Sequence, residues 1–599
     1  VQSLYSPNNQ KVNSVGYLIV ALSVFLLYFL KLGSIGITDP GEGYYVEAAR
    51  EMVESGDYIT PHLNYQIYFS KPILTFWLMA GSYLCLGVNE VAARLPFSIL
   101  MMLLCLGTYY VTCRALNFRA GLFAALVTCT SPLMLAFVKF SPIDITFAFF
   151  LNLTLFAFFL TCLLGDRRFW SLFWIGLSLA LLTKGPAALV FSAIGIGLFL
   201  VIERASWKTN WERLKNLRPI YGVLIFSALS LSWYAAVHRA THGLFTKVFF
   251  LYENYARFSG HTNLAHNSPF HYFRVISYGF FPWILLLPAA FKEVGQARVQ
   301  ASLSRSYLAL MSCYAIAVFM FFSFSKTQLD TYILPVIAPL SVLVGCYLDR
   351  VLALASRQFS DTFARRGTKW LDWFAWLISA LFFLTGPALV YAAAVPLEGD
   401  LPFVPCLAVA LILMAGAFVQ ALLLKSRQLA LSVYSIFLLL IFSAVFITNF
   451  TFSYLDQSGQ RQLRDLCCAV AQPGDRFALF RSFKPSLMFY LKRPVDSFFH
   501  PSQLIVADRK ALPFRQFVVV HEHVMSYLQL PDGVTLLPVS EKGGYHLFLL
   551  TKGKLDQVET LEGIFGNEEA FQRSIKGQSD WGPLTVPYGG GNAHFWQPK

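Results

Sequence analysis

The chain of 599 residues is 56% hydrophobic, 16% aromatic and only 13% charged, about half the charge of an ordinary soluble domain. Its mean hydropathy of +0.55 excludes disorder, collagen and the bulk of soluble enzymes. The formal charge of +14 invites a nucleic-acid reading, but the positions of the lysines and arginines assign it to membrane topology, and no nucleic-acid partner is expected.

In chain order, apolar runs recur that are long enough to cross a bilayer, which takes roughly 20 helical residues. They predict a mainly α, polytopic membrane protein with about 13 transmembrane helices, near 15–35, 95–113, 120–138, 145–164, 169–183, 186–202, 219–237, 275–291, 306–324, 331–348, 371–393, 403–424 and 430–450. The first run lacks a small-residue cleavage site and reads as a span, not a removed leader. The run at 72–88 follows Lys71-Pro72 and is short, so it reads as an interfacial or re-entrant helix. With it set aside, one set of loops holds 20 lysines and arginines and the opposite set 11, before a tail with 16 more. Positive charge in short loops marks the cytoplasmic side. This places the N-terminus inside and loops 36–94 and 238–274 outside, with the tail 452–599 also outside. That topology puts both long loops and the tail on the non-cytoplasmic side.

The domains expected are therefore a transmembrane domain over 1–451, including both long outer loops, and an outer α/β domain over 452–599. In the tail, the runs Phe517-Val518-Val519-Val520 and 545–550 read as strands between helical stretches. Eight of the ten cysteines lie in or beside apolar runs, and Cys467-Cys468 reads as two free thiols. No internal repeat is evident in the membrane part, which disfavours a transporter.

The candidate chemistry lies on the outer side. Asp39 and Glu42 flank a Pro-Gly turn just after the first span. The following stretch, Tyr44 to Ser55, carries Val46, Ala49 and Val53 on one face and suits a helix lying flat at the interface. An acidic helix start explains the same residues more simply, since carboxylates favour helix N-termini. Asp144 joins two spans, and an acid at a membrane boundary is costly and usually functional; its neighbour Lys139 offers a pairing explanation. Lys71, Lys184 and Lys326 each stand between apolar runs on the outer side. One alone would read as a snorkelling lysine. Several beside carboxylates read as a holder for a lipid-linked phosphate.

The run EAAREMVESGDYITPHLNYQIYFSKPILTFW at 47–77, LTKGP at 182–186 and SKTQLDTYILP at 325–335 resemble the protein O-mannosyltransferase-like glycosyltransferases of the GT-C class, the bacterial lipid A aminoarabinose transferases in particular. The resemblance runs in order over roughly residues 15–350. It implies a GT-C fold with its catalytic domain in the bacterial inner membrane, the active site and tail periplasmic, a polyprenyl-phosphate-linked sugar as donor, a lipid or glycan of the envelope as acceptor, and a monomer among membrane lipids. It also implies site residues: Asp39, Glu42 and Asp144 as catalytic carboxylates, and Lys71, Arg257, Tyr332, Lys184 and Lys326 around the donor phosphate. The family's acidic pair aligns with Gly41-Glu42, so Asp39 or Glu42 alone would serve. Ser70 stands where the family often has a metal-binding Glu. No certain cofactor is therefore implied; a divalent metal is disfavoured, and His266 is the one metal candidate.

The expected reaction is one inverting displacement at the anomeric carbon, most simply of 4-amino-4-deoxy-L-arabinose onto lipid A. Protein O-mannosylation is the alternative within the class, and a lipid-linked sugar flippase the rival outside it.

Overall fold

The computed structural model describes residues 13–203, 205–256, 268–296, 302–356, 362–394, 403–448, 460–498, 515–528, 534–542 and 544–552. By internal packing the chain divides into two units. The first holds Val1–Ser34, Phe69–Ser82 and Val91–Phe452; the second holds Ile35–Tyr68, Tyr83–Glu90 and Ser453–Lys599. The first outer loop, expected to belong to the membrane domain, thus groups mostly with the tail.

The first unit is a helical bundle of a polytopic membrane protein. Among the described residues, 8 helices are long and apolar enough to span, or up to 10 if each of two bent pairs counts as one. The bent pairs are Phe118–Thr130 with Pro132–Phe140, at 55°, and His271–Gly279 with Trp283–Lys292, at 106°. Both bends fall where proline withholds a backbone N–H or opens the following helical segment. Three expected spans are shorter helices: Ser14–Phe29, Trp170–Lys184 and Ala187–Glu203. The run at 72–88 forms Leu74–Leu86, 13 residues, too short to cross on its own.

Short helices matter for depth. Trp170–Lys184 has 15 residues, about 22 Å at ~1.5 Å per residue, against a hydrocarbon core of about 30 Å. The helix is therefore too short to cross that core alone. The turn that follows needs Gly185: its φ is +76°, and a Cβ there would lie 2.7 Å from the Phe249 ring. The neighbouring helix Pro142–Phe158 is buried along its length, including Asn152, whose amide donates to the Pro335 carbonyl at 3.1 Å. That bond supports the 3₁₀ segment Asp330–Val336, which brings Thr331 and Tyr332 to the same end of the bundle.

The second unit is an α/β layer. Strands β1 (His62–Leu63) and β2 (Gln66–Ile67) form a small hairpin. Strands β3 (Arg476–Phe480), β4 (Val495–Phe498), β5 (Gln516–His521), β6 (Val534–Lys542) and β7 (Tyr545–Lys552) form a five-stranded sheet in the order β4-β3-β5-β7-β6. β3 runs parallel to β4 and β5, and β7 antiparallel to β5 and β6. β5 is central and buried on both faces, which is why it reads as an unbroken apolar run. Phe517 and Val519 face one core with Leu463 and Leu487, while Val518 and Val520 face the other with Phe480 and Phe498.

The helix Gly41–Ser55 belongs to this unit. Val46 and Ala49, read from sequence as a lipid-facing stripe, are fully buried by protein. Its other face is buried too: Arg50 makes a two-pronged contact with Glu47 at 2.7 and 2.8 Å, and also pairs with Glu54. The helix is an internal part of the α/β unit because these charges satisfy one another there.

Candidate active site

In the first unit, one end of the bundle gathers three of the expected residues, Asp144, Lys184 and Tyr332. Asp144 opens Pro142–Phe158 and forms a direct ion pair with Lys184, the side chains being 7% and 11% exposed. The Ser141 hydroxyl donates to the second Asp144 oxygen, and the Thr331 side chain hydrogen-bonds it as well. The Lys184 ammonium stands 4.4 Å from the ring centre of Tyr332 and 5.3 Å from that of Phe147. Cation–π contact of this kind is worth more where water is excluded. Asp144, expected as a base, and Lys184, expected on a phosphate, are thus each other's partners. The pair is saturated by two hydroxyls and two aromatic faces.

Lys71 lies in a second cluster of the same unit. Phe69 packs on Phe245 with ring centres 6.2 Å apart. The Ser70 hydroxyl donates to Glu253 at 3.1 Å, and the Lys71 ammonium is 3.8 Å from the same carboxylate oxygen. Glu253 is carried by a π-helical segment, Val248–Ala256, a distortion that often occurs at functional sites. Its side chain is 2% exposed and that of Lys71 18%. The two outer lysines therefore differ. Lys184 touches its carboxylate, whereas Lys71 holds its own at the long limit of an ion pair and is the more open of the two.

Glu253 was missed by sequence reasoning. The signal was a single acid in the aromatic run VFFLYENYARF at 248–258, outside every span, where desolvation of a carboxylate needs a partner. Lys326 is exposed, and none of the contacts of the Asp144 cluster involves it. Arg257 and His266 lie outside the described residues.

Asp39 and Glu42 belong to the second unit, and each has a local structural partner. Asp39 accepts the Ser486 N–H at 2.9 Å and also the Ser486 hydroxyl. Burial raises its pKa above the usual aspartate value, and the Ser486 bonds only partly offset that. Gly43 makes this approach feasible: a Cβ there would lie 2.6 Å from an Asp39 oxygen and 3.2 Å from the Ser486 nitrogen. Glu42 is 1% exposed and accepts the Thr38 N–H at 3.0 Å and hydroxyl at 2.9 Å. It closes the start of Gly41–Ser55, in the manner expected of an acid at a helix N-terminus.

Among the described residues, no group of three or more His, Cys, Asp or Glu could hold an ion. Ser70 supplies a hydroxyl where a carboxylate ligand would be needed, and that hydroxyl is donated to Glu253.

Residues 70–233 match the family described as dolichyl-phosphate-mannose-protein mannosyltransferase, a stretch that contains Lys71, Asp144 and Lys184. The chain is 31% identical over 346 residues to undecaprenyl phosphate-alpha-4-amino-4-deoxy-L-arabinose arabinosyl transferase 2 of Proteus mirabilis, covering 57% of this chain and 60% of that protein. It is 32% identical over 350 residues to arabinosyl transferase 1 of Pseudomonas fluorescens, with the same coverages. The match thus spans about three-fifths of the length of these relatives. Among solved structures, ArnT from Cupriavidus metallidurans bound to undecaprenyl phosphate superposes with a TM-score of 0.71 at 21% identity, covering 90% of this chain and 98% of that one. The chain has the GT-C fold of ArnT, and over its matched membrane part its sequence is ArnT-like.

Proposed function

We propose that the protein is a membrane glycosyltransferase that moves a sugar from a polyprenyl-phosphate donor to an envelope acceptor on the periplasmic side of the inner membrane. The most specific reading is 4-amino-4-deoxy-L-arabinose transferred to lipid A. The observation that carries it is the Lys71 arrangement: a partly open ammonium, fixed by its neighbours' contacts with Phe245 and Glu253, inside the matched stretch. An apolar cavity of about 310 Å³ in the same unit, lined by residues such as Phe273, Leu287, Phe319 and Val336, is suited to a prenyl chain.

The reaction is one displacement. An acceptor oxygen attacks the anomeric carbon, the bond from that carbon to the phosphate oxygen breaks, and its electron pair leaves on the phosphate. Configuration inverts. Lys71 meets the charge that grows on the leaving phosphate, which is where a preorganised cation lowers a barrier most. Asp144, held by Lys184 beside Tyr332, orients the acceptor or takes its proton. A hydroxyl acceptor gives its proton to a base; an ionised phosphate acceptor has none to give, and carboxylates then only position it. No step is routed through a metal. Whether Asp39 and Glu42 take part is decided by substitution, and a monomer with Arg257 on the phosphate completes the proposal.

The test is chemical analysis of a deletion strain. Loss of aminoarabinose from lipid A, with accumulation of its polyprenyl-linked form, is expected. An unchanged lipid A with loss of mannose from protein would favour O-mannosylation. Failure of the lipid-linked sugar to reach the outer leaflet would favour a flippase.

A further inference from the structure

We propose that Glu253 is a positioning and charge-selecting residue of the donor site, disfavouring the spent polyprenyl phosphate relative to the sugar-linked donor and so promoting its release. The inference rests on the reading above that Lys71 meets the donor phosphate.

The structural basis is the sharing of one ammonium. Glu253 lies 3.8 Å from the Lys71 nitrogen, and its side chain is nearly fully buried. Its carboxylate cannot swing away freely, because the Ser70 hydroxyl holds the same oxygen at 3.1 Å and Phe69 is packed on Phe245. Any phosphate that reaches Lys71 therefore meets a second negative charge 3.8 Å from the same cation. A sugar-linked donor is a phosphodiester with one charge. After transfer, the carrier is a phosphomonoester whose second ionisation falls near pH 6. One more negative charge then stands near Glu253, whose side chain is 2% exposed, and like charges repel far more in such surroundings than in water. Lys71 alone would hold the spent carrier more tightly than the donor. Glu253 cancels that advantage, so the site does not trap its own product.

Glu253→Gln removes the charge while its amide oxygen can still accept from Ser70. The probes are a polyprenyl phosphate and its methyl ester, a diester with one charge and no transferable sugar. Their affinities are measured for purified wild type and variant in nanodiscs at pH 8 and pH 5.5. At pH 8 the variant is expected to favour the monoester over the diester by on the order of tenfold more than the wild type does. At pH 5.5, where the monoester loses its second charge, that difference should largely vanish. An equal change for both ligands, tighter or weaker, would overturn the proposal and leave Glu253 as a support for Lys71. The wild type alone gives a second check should the variant fold poorly. Its monoester affinity should gain nothing relative to the diester as pH rises from 5.5 to 8, and a steady gain would refute the role. A wild type that binds neither probe would instead refute the donor-site reading itself.

Discussion

Removing the Lys184 ammonium tests the saturated ion pair directly. In Lys184→Met the apolar stem remains, so packing is nearly conserved, but Asp144 stays buried with its counter-ion gone. Breaking a buried pair from one side costs about 3–5 kcal/mol. Two features bring the expected loss to the lower end. Ser141 and Thr331 still hydrogen-bond the carboxylate, and the Tyr332 and Phe147 faces pack on a methyl group as well as on an ammonium. A stability loss of about 3 kcal/mol is therefore expected. In the double variant Asp144→Asn/Lys184→Met no buried charge remains, and at least half of that loss should be recovered. Denaturant unfolding in mixed micelles, run as a double-mutant cycle, measures the coupling. Additive losses would show that the two side chains do not depend on each other, and the reasoning about this cluster would fail.

Other expectations follow from the same geometry. Lys71→Met should weaken binding of polyprenyl phosphate by about 2–5 kcal/mol, with Lys71→Arg retaining part of it; equal affinity for all three proteins, measured in nanodiscs, would make Lys71 a membrane anchor. Asp144→Asn should abolish transfer in a radiolabelled-donor assay while the protein still inserts, and normal turnover would remove Asp144 from the site. Burial raises the Asp39 pKa, so its folding contribution is greatest below the unfolded aspartate value and declines as pH rises through the folded one. Asp39→Asn should therefore be relatively more stable than wild type at pH 7 than at pH 4, as read by thermal unfolding; a pH-independent difference contradicts this. Comparing transfer by Asp39→Asn and Glu42→Gln assigns the catalytic carboxylate: the expected order is a larger loss for Asp39, and loss for Glu42 alone would reverse it.

Much of the architecture is legible in the sequence because its signals are local. The continuous apolar run of β5 announces a strand buried on both faces, and the brevity of Leu74–Leu86 announces a helix that does not span alone. The TKGP turn and the acid after Ser141-Pro142 mark the ends of spans by composition. What local spacing cannot carry is pairing. Asp144 and Lys184 each read as site candidates in the sequence, yet their partnership depends on two helices meeting at one level. Asp39 finds Ser486 across 447 residues, so its role as a helix-start acceptor has no signature near position 39. The stripe of Val46 and Ala49 looks lipid-facing for the same reason: periodicity shows that a face is apolar and leaves open what covers it. Glu253 escaped notice because a lone acid among aromatics gains meaning only when Ser70 and Lys71 arrive beside it.

The account's central claim is direct transfer at a cation-lined donor site, and the configuration of the product tests it most closely. Purified protein in nanodiscs is given a polyprenyl phosphate-α-linked aminoarabinose, labelled at the anomeric carbon, together with lipid A, and the product is examined by NMR. The account predicts labelled lipid A with the β configuration, formed by wild type and not by Asp144→Asn. Retention of the α configuration, or a donor that stays intact in the presence of acceptor, would contradict it.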